Sequence, residues 1–338
     1  LSPFSKIFER LIAREILIYF NSNNLFSPIQ HGFRRNFSCE TALQTLLDAW
    51  KEALDEKKSI LALFIDFRKA FDLVHPELLF RKLFHYGLDN SALALVANYF
   101  KDRSQAVRIQ KSISDPLSIF LGVPQGSILG PLFFLIYIND LHFFTDLQSA
   151  LFADDTTVCE IADSPEKMVK DFPSKMSSLL SWSEYNHLFI NWSKTKFMFI
   201  TNKNFKKPNS ILLDGQSVER VDEFKLLGCL IDDSLTFSKH VEETRKVVYK
   251  KVHSIKKLFF LPFHTRLQFF KSFILPHFDY CSSLFVYMAK CHIDRLERLY
   301  NYCIFLILKI KLSFLNSDQQ YDLLKKFNIF RDSLFKKN

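Results

Sequence analysis

Two acidic clusters in the sequence have the residue types and spacing for metal chemistry. Asp66 ends an apolar run that begins at Ile60, and Asp154 and Asp155 stand side by side between two short runs of apolar or β-branched residues. Adjacent carboxylates repel each other unless a cation lies between them. Three carboxylates together suit hard divalent cations such as Mg²⁺, which also bind substrate phosphates. Two such ions can activate a 3′-hydroxyl and stabilise a leaving pyrophosphate, so the clusters predict polymerase chemistry.

An ordinary interpretation of the Asp154–Asp155 pair is also open, because paired Asp residues in a turn are commonly just solvated turn residues. The surrounding sequence favours a functional site. The flanking runs predict a hairpin with both carboxylates at its turn, and the upstream run ending at Asp66 predicts a buried strand with an acid at its tip.

A glycine-rich segment lies between the two acidic clusters. The chain has only 7 Gly but 38 Phe, and Gly122, Gly126 and Gly130 fall close together. The segment predicts a loop whose backbone approaches another group closely, followed by an apolar helix to about Leu141. A loop that leads into a helix start suits a phosphate or a base pair. A tight turn before a buried helix is the alternative.

The elements around these motifs alternate between helices and strands. Apolar spacing predicts helices over 4–20 and 39–56, the second with Ser38 as N-cap, and a strand over 60–66. Strands follow from Phe197 to Ile231, with a hairpin turn at Asp214–Gly215. After about Ser238 the pattern is helical, basic and aromatic.

Composition restricts the class of protein further. The chain has 338 residues, 45 Lys plus Arg against 36 Asp plus Glu, and a net charge of +9, which favours a polyanionic partner. A hydrophobic content of 48% argues against disorder. The six cysteines lack zinc-site spacing, so we expect reduced thiols and an intracellular protein of the nucleus or cytoplasm. No apolar run has the roughly 20 residues of a membrane span, so no membrane partner is expected.

The order of the motifs resembles the reverse transcriptase of non-LTR (LINE-like) retrotransposons. The resemblance extends over nearly the whole chain, and the set in this order is highly specific. The segments that carry it are Gln30–Arg34, Phe64–Asp72, Gly122–Pro131, Phe152–Asp155, Asn191–Lys196 and Phe224–Gly228.

The resemblance implies an α+β fold, a right-hand polymerase with fingers, an antiparallel palm sheet and a helical thumb. We expect partial fingers over 1–59, the palm over 60–237 with a fingers-like helical insertion at about 76–118, and the thumb with a C-terminal extension over 238–338. The implied activity is RNA-directed DNA polymerisation. Its implied partners are an RNA template, a DNA primer and dNTPs, and its implied cofactors are two Mg²⁺ ions, with Mn²⁺ as a possible substitute.

Individual roles carry over from the family by position. Asp66, Asp154 and Asp155 match the metal-binding carboxylates, and Lys194 matches a lysine proposed to protonate the departing pyrophosphate, although a solvated lysine is an open alternative. The remaining matches are Phe71 as an aromatic gate against the ribose 2′-hydroxyl, Gln125 and Gly126 under the incoming nucleotide, and Leu227 and Gly228 in the primer grip. Phe71 could also be simply one more core Phe. Basic residues such as Lys239, Arg245 and Lys251 would face nucleic-acid phosphates in the thumb, or form a solvated helix face.

One departure from the family pattern concerns the fingers. The basic segment that holds the incoming triphosphate in related enzymes is expected upstream of Leu1, as is an endonuclease domain, and no RNase H region is evident. The chain therefore resembles an N-terminally truncated enzyme. An inactive relic that only binds nucleic acid is one alternative, and an RNA-dependent RNA polymerase, which the aromatic ring of Phe71 disfavours, is another.

Overall fold

The computed structural model describes residues 2–257 and 259–309. Contacts divide the chain into two compact units, one up to Val221 and one from Asp222 onward. Across the described residues, none of the helices has the combination of length and apolar character that a membrane span requires.

The first unit is built on a mixed sheet of six strands with helices on both faces. Its helices are α1 (Pro3–Ser22), α2 (Cys39–Asp55), α3 (Pro76–His85), α4 (Asn90–Phe100), α5 (Leu129–Ile138) and α6 (Pro165–Tyr185). Short 3₁₀ helices cover Ala70–Leu73 and Leu141–Phe144. Its strands are β1 (Ser59–Ile65), β2 (Ser104–Gln105), β3 (Arg108–Ile109), β4 (Ser112–Ile113), β5 (Leu117–Ser118), β6 (Gln148–Phe152), β7 (Asp155–Ala162), β8 (Lys196–Ile200), β9 (Ser210–Leu213) and β10 (Gln216–Arg220).

The sheet has the strand order β6–β7–β1–β8–β10–β9. All neighbouring pairs are antiparallel except β8 and β10, which are parallel. The predicted α+β class and the mainly antiparallel sheet are thus confirmed. The predicted Asp214–Gly215 turn joins β9 to β10, as expected.

The strand β1 is apolar throughout because it lies inside the sheet and both of its faces are buried. All seven of its residues are buried. The neighbouring strand β7 alternates its side chains between the two faces, so that Cys159 accepts a hydrogen bond from Trp50 of α2 while Glu160 pairs with Lys175 of α6. The helix α5 is buried except at Pro131, so it lies inside the core of this unit.

The predicted helices at the start of the chain are confirmed. In α2 the capping box is complete, because the Ser38 hydroxyl accepts from the Thr41 N–H and the Thr41 hydroxyl accepts from the Ser38 N–H. The predicted helical insertion over 76–118 is helical only to Phe100. Residues 104–118 instead form two short antiparallel ladders, β2 with β5 and β3 with β4, whose strand residues are all exposed.

The second unit begins with a hairpin and continues as helices. Its strands are β11 (Glu223–Leu226) and β12 (Cys229–Asp232), and its helices are α7 (Ser238–Lys257), α8 (Phe263–Phe269), α9 (Pro276–Asp279) and α10 (Lys290–Leu308). A π-helix covers Phe270–Ile274, and a 3₁₀ helix covers Ser282–Tyr287. The helical pattern expected after Ser238 is confirmed to Leu308, and the rest of the predicted C-terminal extension, 310–338, lies outside the described residues.

The division between the units falls earlier in the chain than the palm–thumb boundary predicted at 237/238. The cause is local: the β11–β12 hairpin is tied to the start of α7. The Asp232 carboxylate accepts hydrogen bonds from the N–H groups of Thr236 and Phe237 at 2.9 and 2.7 Å, and Glu223 pairs with Lys239 at 2.7 Å. The assignment of the parts to fingers, palm and thumb stays a prediction.

Candidate active site

Strand pairing brings the three predicted acids to one end of the sheet. Asp66 directly follows β1, and the pairing of Ile65 with Thr156 puts it beside the start of β7. Phe152 pairs with Asp155, which leaves Ala153 and Asp154 as a two-residue turn between β6 and β7. The chain thus places Asp66, Asp154 and Asp155 on neighbouring strand ends although they are far apart in sequence.

The electrostatics of this sheet end are those of crowded negative charge. Burial raises the pKa of Asp154, and the charge of Asp66 raises it further. Burial also raises the pKa of Asp155, and the charges of Asp154 and Asp66 add to that effect. Lys194 Nζ lies 3.9 Å from Asp66 Oδ2, and the lysine side chain is 69% exposed, so this ion pair neutralises little of the negative charge. A further cation at this end would be stabilised.

The sequence predicted a three-carboxylate cage, and the side chains are not gathered into one. Within the described residues, no group of three or more His, Cys, Asp or Glu side chains is positioned to hold a metal ion. Like charges without a counter-ion repel, so gathering the three carboxylates is unfavourable when no cation is bound. The donor set still fits a hard divalent cation, because Asp66 and Asp154 line one cleft and Asp155 adjoins Asp154.

That cleft unites residues from four separate motifs. It measures about 630 Å³, and five of the predicted site residues line it: Asp66, Phe71, Gln125, Asp154 and Lys194. Arg68 and Lys69 line it too, and both are exposed. Sequence reasoning did not assign these two cations, although their position directly after the strand that ends at Asp66 was a usable signal.

Backbone and buried hydroxyl contacts hold Asp66 at the cleft. Its N–H donates to the hydroxyl of the fully buried Thr195 at 3.3 Å, and its carbonyl accepts from the Asn191 N–H at 2.7 Å. Asn191 and Thr195 belong to a segment that the sequence linked to the site only through Lys194. They show that this segment also fixes the strand end that carries Asp66.

Phe71 is both a packing residue and a cleft residue. It lies on the 3₁₀ helix Ala70–Leu73, and its ring stacks on Phe134 of α5 with centroids 4.4 Å apart. Phe33 meets it edge to face at 6.4 Å. The ring is thus held in place by the core while it lines the cleft, and its role as a gate stays a prediction.

The two glycines on either side of Gln125 are needed for different reasons. At Gly122 φ is +82°, and a Cβ would lie 2.7 Å from the carbonyl oxygen of Asp72. This close approach is fixed by a hydrogen bond from the Gly122 N–H to the Val74 carbonyl at 2.7 Å. At Gly126 φ is +77°, but a Cβ would meet no atom within 4 Å. Gly126 is therefore required for its backbone conformation, and the space beside it is open.

The start of α5 is not open to a phosphate or a base pair, contrary to the expectation from the glycine-rich loop. A buried carboxylate of α1, Glu9, already occupies it. Glu9 Oε2 accepts from the Ser127 hydroxyl and the Ile128 N–H, each at 2.7 Å, and from the Leu129 N–H at 3.3 Å. An anion at a helix N-terminus is stabilising, and the protein supplies its own.

The predicted primer-grip residues form a tight turn in the second unit. Leu226 pairs with Cys229, and the intervening Leu227 and Gly228 both have positive φ, +44° and +82°, as in the type I′ turns that suit hairpins. Tyr280 donates a hydrogen bond to the Leu227 carbonyl. The hairpin is present, and its role with a primer stays a prediction.

Several of the basic residues expected to face phosphates make contacts within the second unit. Lys239 pairs with Glu223 and Arg245 with Glu242, each at 2.7 Å. Lys251 Nζ donates to the Phe273 carbonyl at 2.9 Å. Lys246 and Lys250 are exposed on α7. Part of this positive charge thus serves local structure, and a role of these residues in binding phosphates stays a prediction.

Comparison with known proteins shows which protein family the chain matches. The family model described as "Reverse transcriptase (RNA-dependent DNA polymerase)" matches residues 1–231. A probable RNA-directed DNA polymerase from transposon X-element of Drosophila melanogaster is 30% identical over 89% of this chain and 34% of its own length. The corresponding protein from transposon BS of the same organism is 30% identical over 76% of this chain and 29% of its own length.

A more distant match is a solved telomerase structure from Candida tropicalis, with a TM-score of 0.44 and 13% identity over 97% of this chain and 57% of that one. The chain spans about a third of the length of the curated transposon relatives. The family model and the transposon relatives confirm the resemblance to LINE-like reverse transcriptases that the motif order predicted. The chain belongs to the reverse transcriptase (RNA-dependent DNA polymerase) family.

Proposed function

We propose that this chain is the DNA-synthesising domain of a non-LTR retrotransposon enzyme, an RNA-directed DNA polymerase that extends a DNA primer on an RNA template. One observation carries the proposal. Acids from two separate motifs meet at one sheet end, and the cleft beside them is also lined by Phe71 and Gln125. This combination of charge and shape suits a deoxynucleoside triphosphate and its metal ions. The protein would act inside the cell, in the nucleus or cytoplasm, where its template is found.

The chain's own residues would divide the work of nucleotidyl transfer. Asp66, Asp154 and Asp155 would hold Mg²⁺ or Mn²⁺, which when bound activates the primer hydroxyl and stabilises the leaving pyrophosphate. Arg68 and Lys69 supply positive charge for the triphosphate from the same cleft. Lys194 Nζ donates a proton to an oxygen of the departing pyrophosphate.

Substrate selection would come from the aromatic ring and the loop of the same cleft. Phe71, held by its stacking on Phe134, would exclude a ribose 2′-hydroxyl and so favour dNTPs. The open space beside Gly126 would leave room for the nucleotide above Gln125. In the second unit, the backbone of the Leu227–Gly228 turn would contact the primer end.

Primer extension tests the proposal. The intact chain is incubated with a labelled DNA primer annealed to RNA, dNTPs and Mg²⁺, beside Asp154→Ala and a control, Asp55→Ala. Asp55 is exposed and ends α2, just before the start of β1 and thus at the opposite end of that strand from Asp66. We expect product from the wild type and from Asp55→Ala and none from Asp154→Ala.

Other outcomes would point to the alternatives. Equal product from all three proteins would remove the carboxylate assignment. Salt-sensitive RNA binding without synthesis at any metal concentration would identify a relic that only binds nucleic acid. Efficient incorporation of ribonucleotides by the wild type would favour an RNA-dependent RNA polymerase.

A further inference from the structure

The turn that carries Asp154 has a backbone conformation that needs support. Ala153 has φ +56°, a region that residues with a Cβ adopt only rarely. The direction of the Asp154 side chain depends on this turn, because Asp154 is its second residue. Whatever holds Ala153 in place therefore also sets the position of Asp154.

One buried amide binds both polar backbone groups of Ala153. Gln30 Oε1 accepts from the Ala153 N–H at 3.0 Å, and Gln30 Nε2 donates to the Ala153 carbonyl at 3.4 Å. The same Oε1 accepts from the Gly32 N–H at 2.7 Å, which fixes the amide itself. The Gln30 side chain is fully buried, so water does not compete for these bonds.

The segment around Gln30 is anchored to the edge of the sheet. The His31 N–H donates to the Leu151 carbonyl at 2.7 Å, and the Leu151 N–H donates to the Ile29 carbonyl at 2.8 Å. Gly32 then passes directly against the turn, because a Cβ there would lie 2.3 Å from the Ala153 nitrogen. The turn is thus held by an amide and confined by a backbone segment, both from the same stretch of chain.

We propose that Gln30 is a positioning residue that holds the Ala153–Asp154 turn in the conformation needed for catalysis, with Gly32 as the neighbour that allows the close contact. The catalytic part of this proposal rests on the proposed function. Gln30 touches neither substrate nor metal and acts only through Ala153. Mutation of residues that hold metal ligands in place without touching the metal typically lowers metal affinity or activity by about 10- to 100-fold.

Two variants perturb the turn in different ways, and one control does not touch it. Gln30→Met keeps the side-chain length but removes the amide, and Gly32→Ala keeps the amide but adds a methyl group against Ala153. The control is Asn139→Leu. Asn139 is also a buried amide, and it binds Ser27, Leu25 and Tyr86 rather than the turn.

Amide hydrogen exchange of the intact, metal-free chain measures the stability of the turn and does not depend on catalytic activity. We expect faster exchange in the peptide over residues 151–156 for Gln30→Met and Gly32→Ala, and the wild-type rate for Asn139→Leu. An unchanged rate in Gln30→Met would overturn the proposal, whatever the polymerase assay shows. An equal acceleration in Asn139→Leu would overturn it too, since the effect would then be general destabilisation.

Primer extension and Mn²⁺ titration by electron paramagnetic resonance then test the catalytic part. We expect kcat to fall by about 100-fold in Gln30→Met and Gly32→Ala, the scale of a displaced catalytic group, with the primer–template Kd unchanged and Mn²⁺ bound more weakly. Wild-type kcat and Mn²⁺ affinity in Gln30→Met would overturn the positioning role while leaving the proposed function intact. Failure of the wild type to extend a primer would instead count against the proposed function, and the exchange rates would still report whether Gln30 holds the turn.

Discussion

Gly122 and Gly126 are a matched pair in which two reasons for needing glycine, close packing and backbone conformation, can be measured separately. Both have positive φ, but an added Cβ meets the backbone of Asp72 at Gly122 and open space at Gly126. Ala in a left-handed conformation costs about 1 to 2 kcal/mol, which is the whole expected cost of Gly126→Ala. At Gly122 the contacts of 2.7 and 2.8 Å with Asp72 are to backbone atoms that cannot rotate away. Overpacking adds about 1 to 3 kcal/mol there, so Gly122→Ala should cost about 2 to 5 kcal/mol.

Urea denaturation followed by tryptophan fluorescence measures both costs. The chain has 3 Trp, Trp50, Trp182 and Trp192, all in the first unit, so the signal reports the unit that contains the loop. In Gly126→Ala, we expect kcat/KM for dNTPs to fall more than its small stability loss explains, because the new methyl group enters the open space. Equal stability losses, or a larger loss in Gly126→Ala, would refute the reasoning.

Two further predictions concern the cleft. The pKa of Asp154 in the folded chain is raised above its ordinary value of 3.8. The protonated carboxyl therefore contributes stability at low pH. This contribution is lost as the pH rises through the raised folded-state pKa. The ionised carboxylate then opposes folding. Asp154→Asn should therefore raise the Tm of the metal-free protein at pH 7 and leave the Tm little changed in strong acid. A lower Tm at pH 7 would contradict this prediction. Phe71→Ala should reduce the preference for dNTPs over rNTPs in single-nucleotide primer extension, with a smaller effect in Phe33→Ala, and an unchanged preference would exclude the ring as a gate.

Local sequence patterns were enough to predict the parts of the site that lie on single elements. Short-range periodicity reports buried strands and tight hairpins well. The apolar run that ends at Asp66 therefore predicted a strand with two buried faces, and the paired runs around Asp154 predicted a tight hairpin. The motif order supplied the family. The pairing of β1 with β7, which brings the acids together, joins segments far apart in the chain, and short-range periodicity does not report such pairing.

The contacts that the sequence did not reveal are long-range bonds from one side chain to distant backbone. Gln30 reaching Ala153 and Glu9 reaching Ile128 are of this kind, and no spacing rule marks their partners. The scarcity of glycine was a usable signal for Gly32, one of only 7 in the chain. The ladders over 104–118 were missed because the strands are only two residues long and fully exposed, so no buried face imposed a clear alternation on the sequence.

The most direct test of the central claim is metal-directed cleavage of the polypeptide. Fe²⁺ supplied in place of Mg²⁺, with ascorbate and peroxide, generates radicals that cut the backbone beside the bound ion. We expect cuts both near residue 66 and near residues 154–155 in the wild type and in Asp55→Ala, and the loss of both sets together in Asp154→Asn. Cuts at only one of the two segments, or an unchanged pattern in Asp154→Asn, would contradict a single metal site shared by Asp66, Asp154 and Asp155.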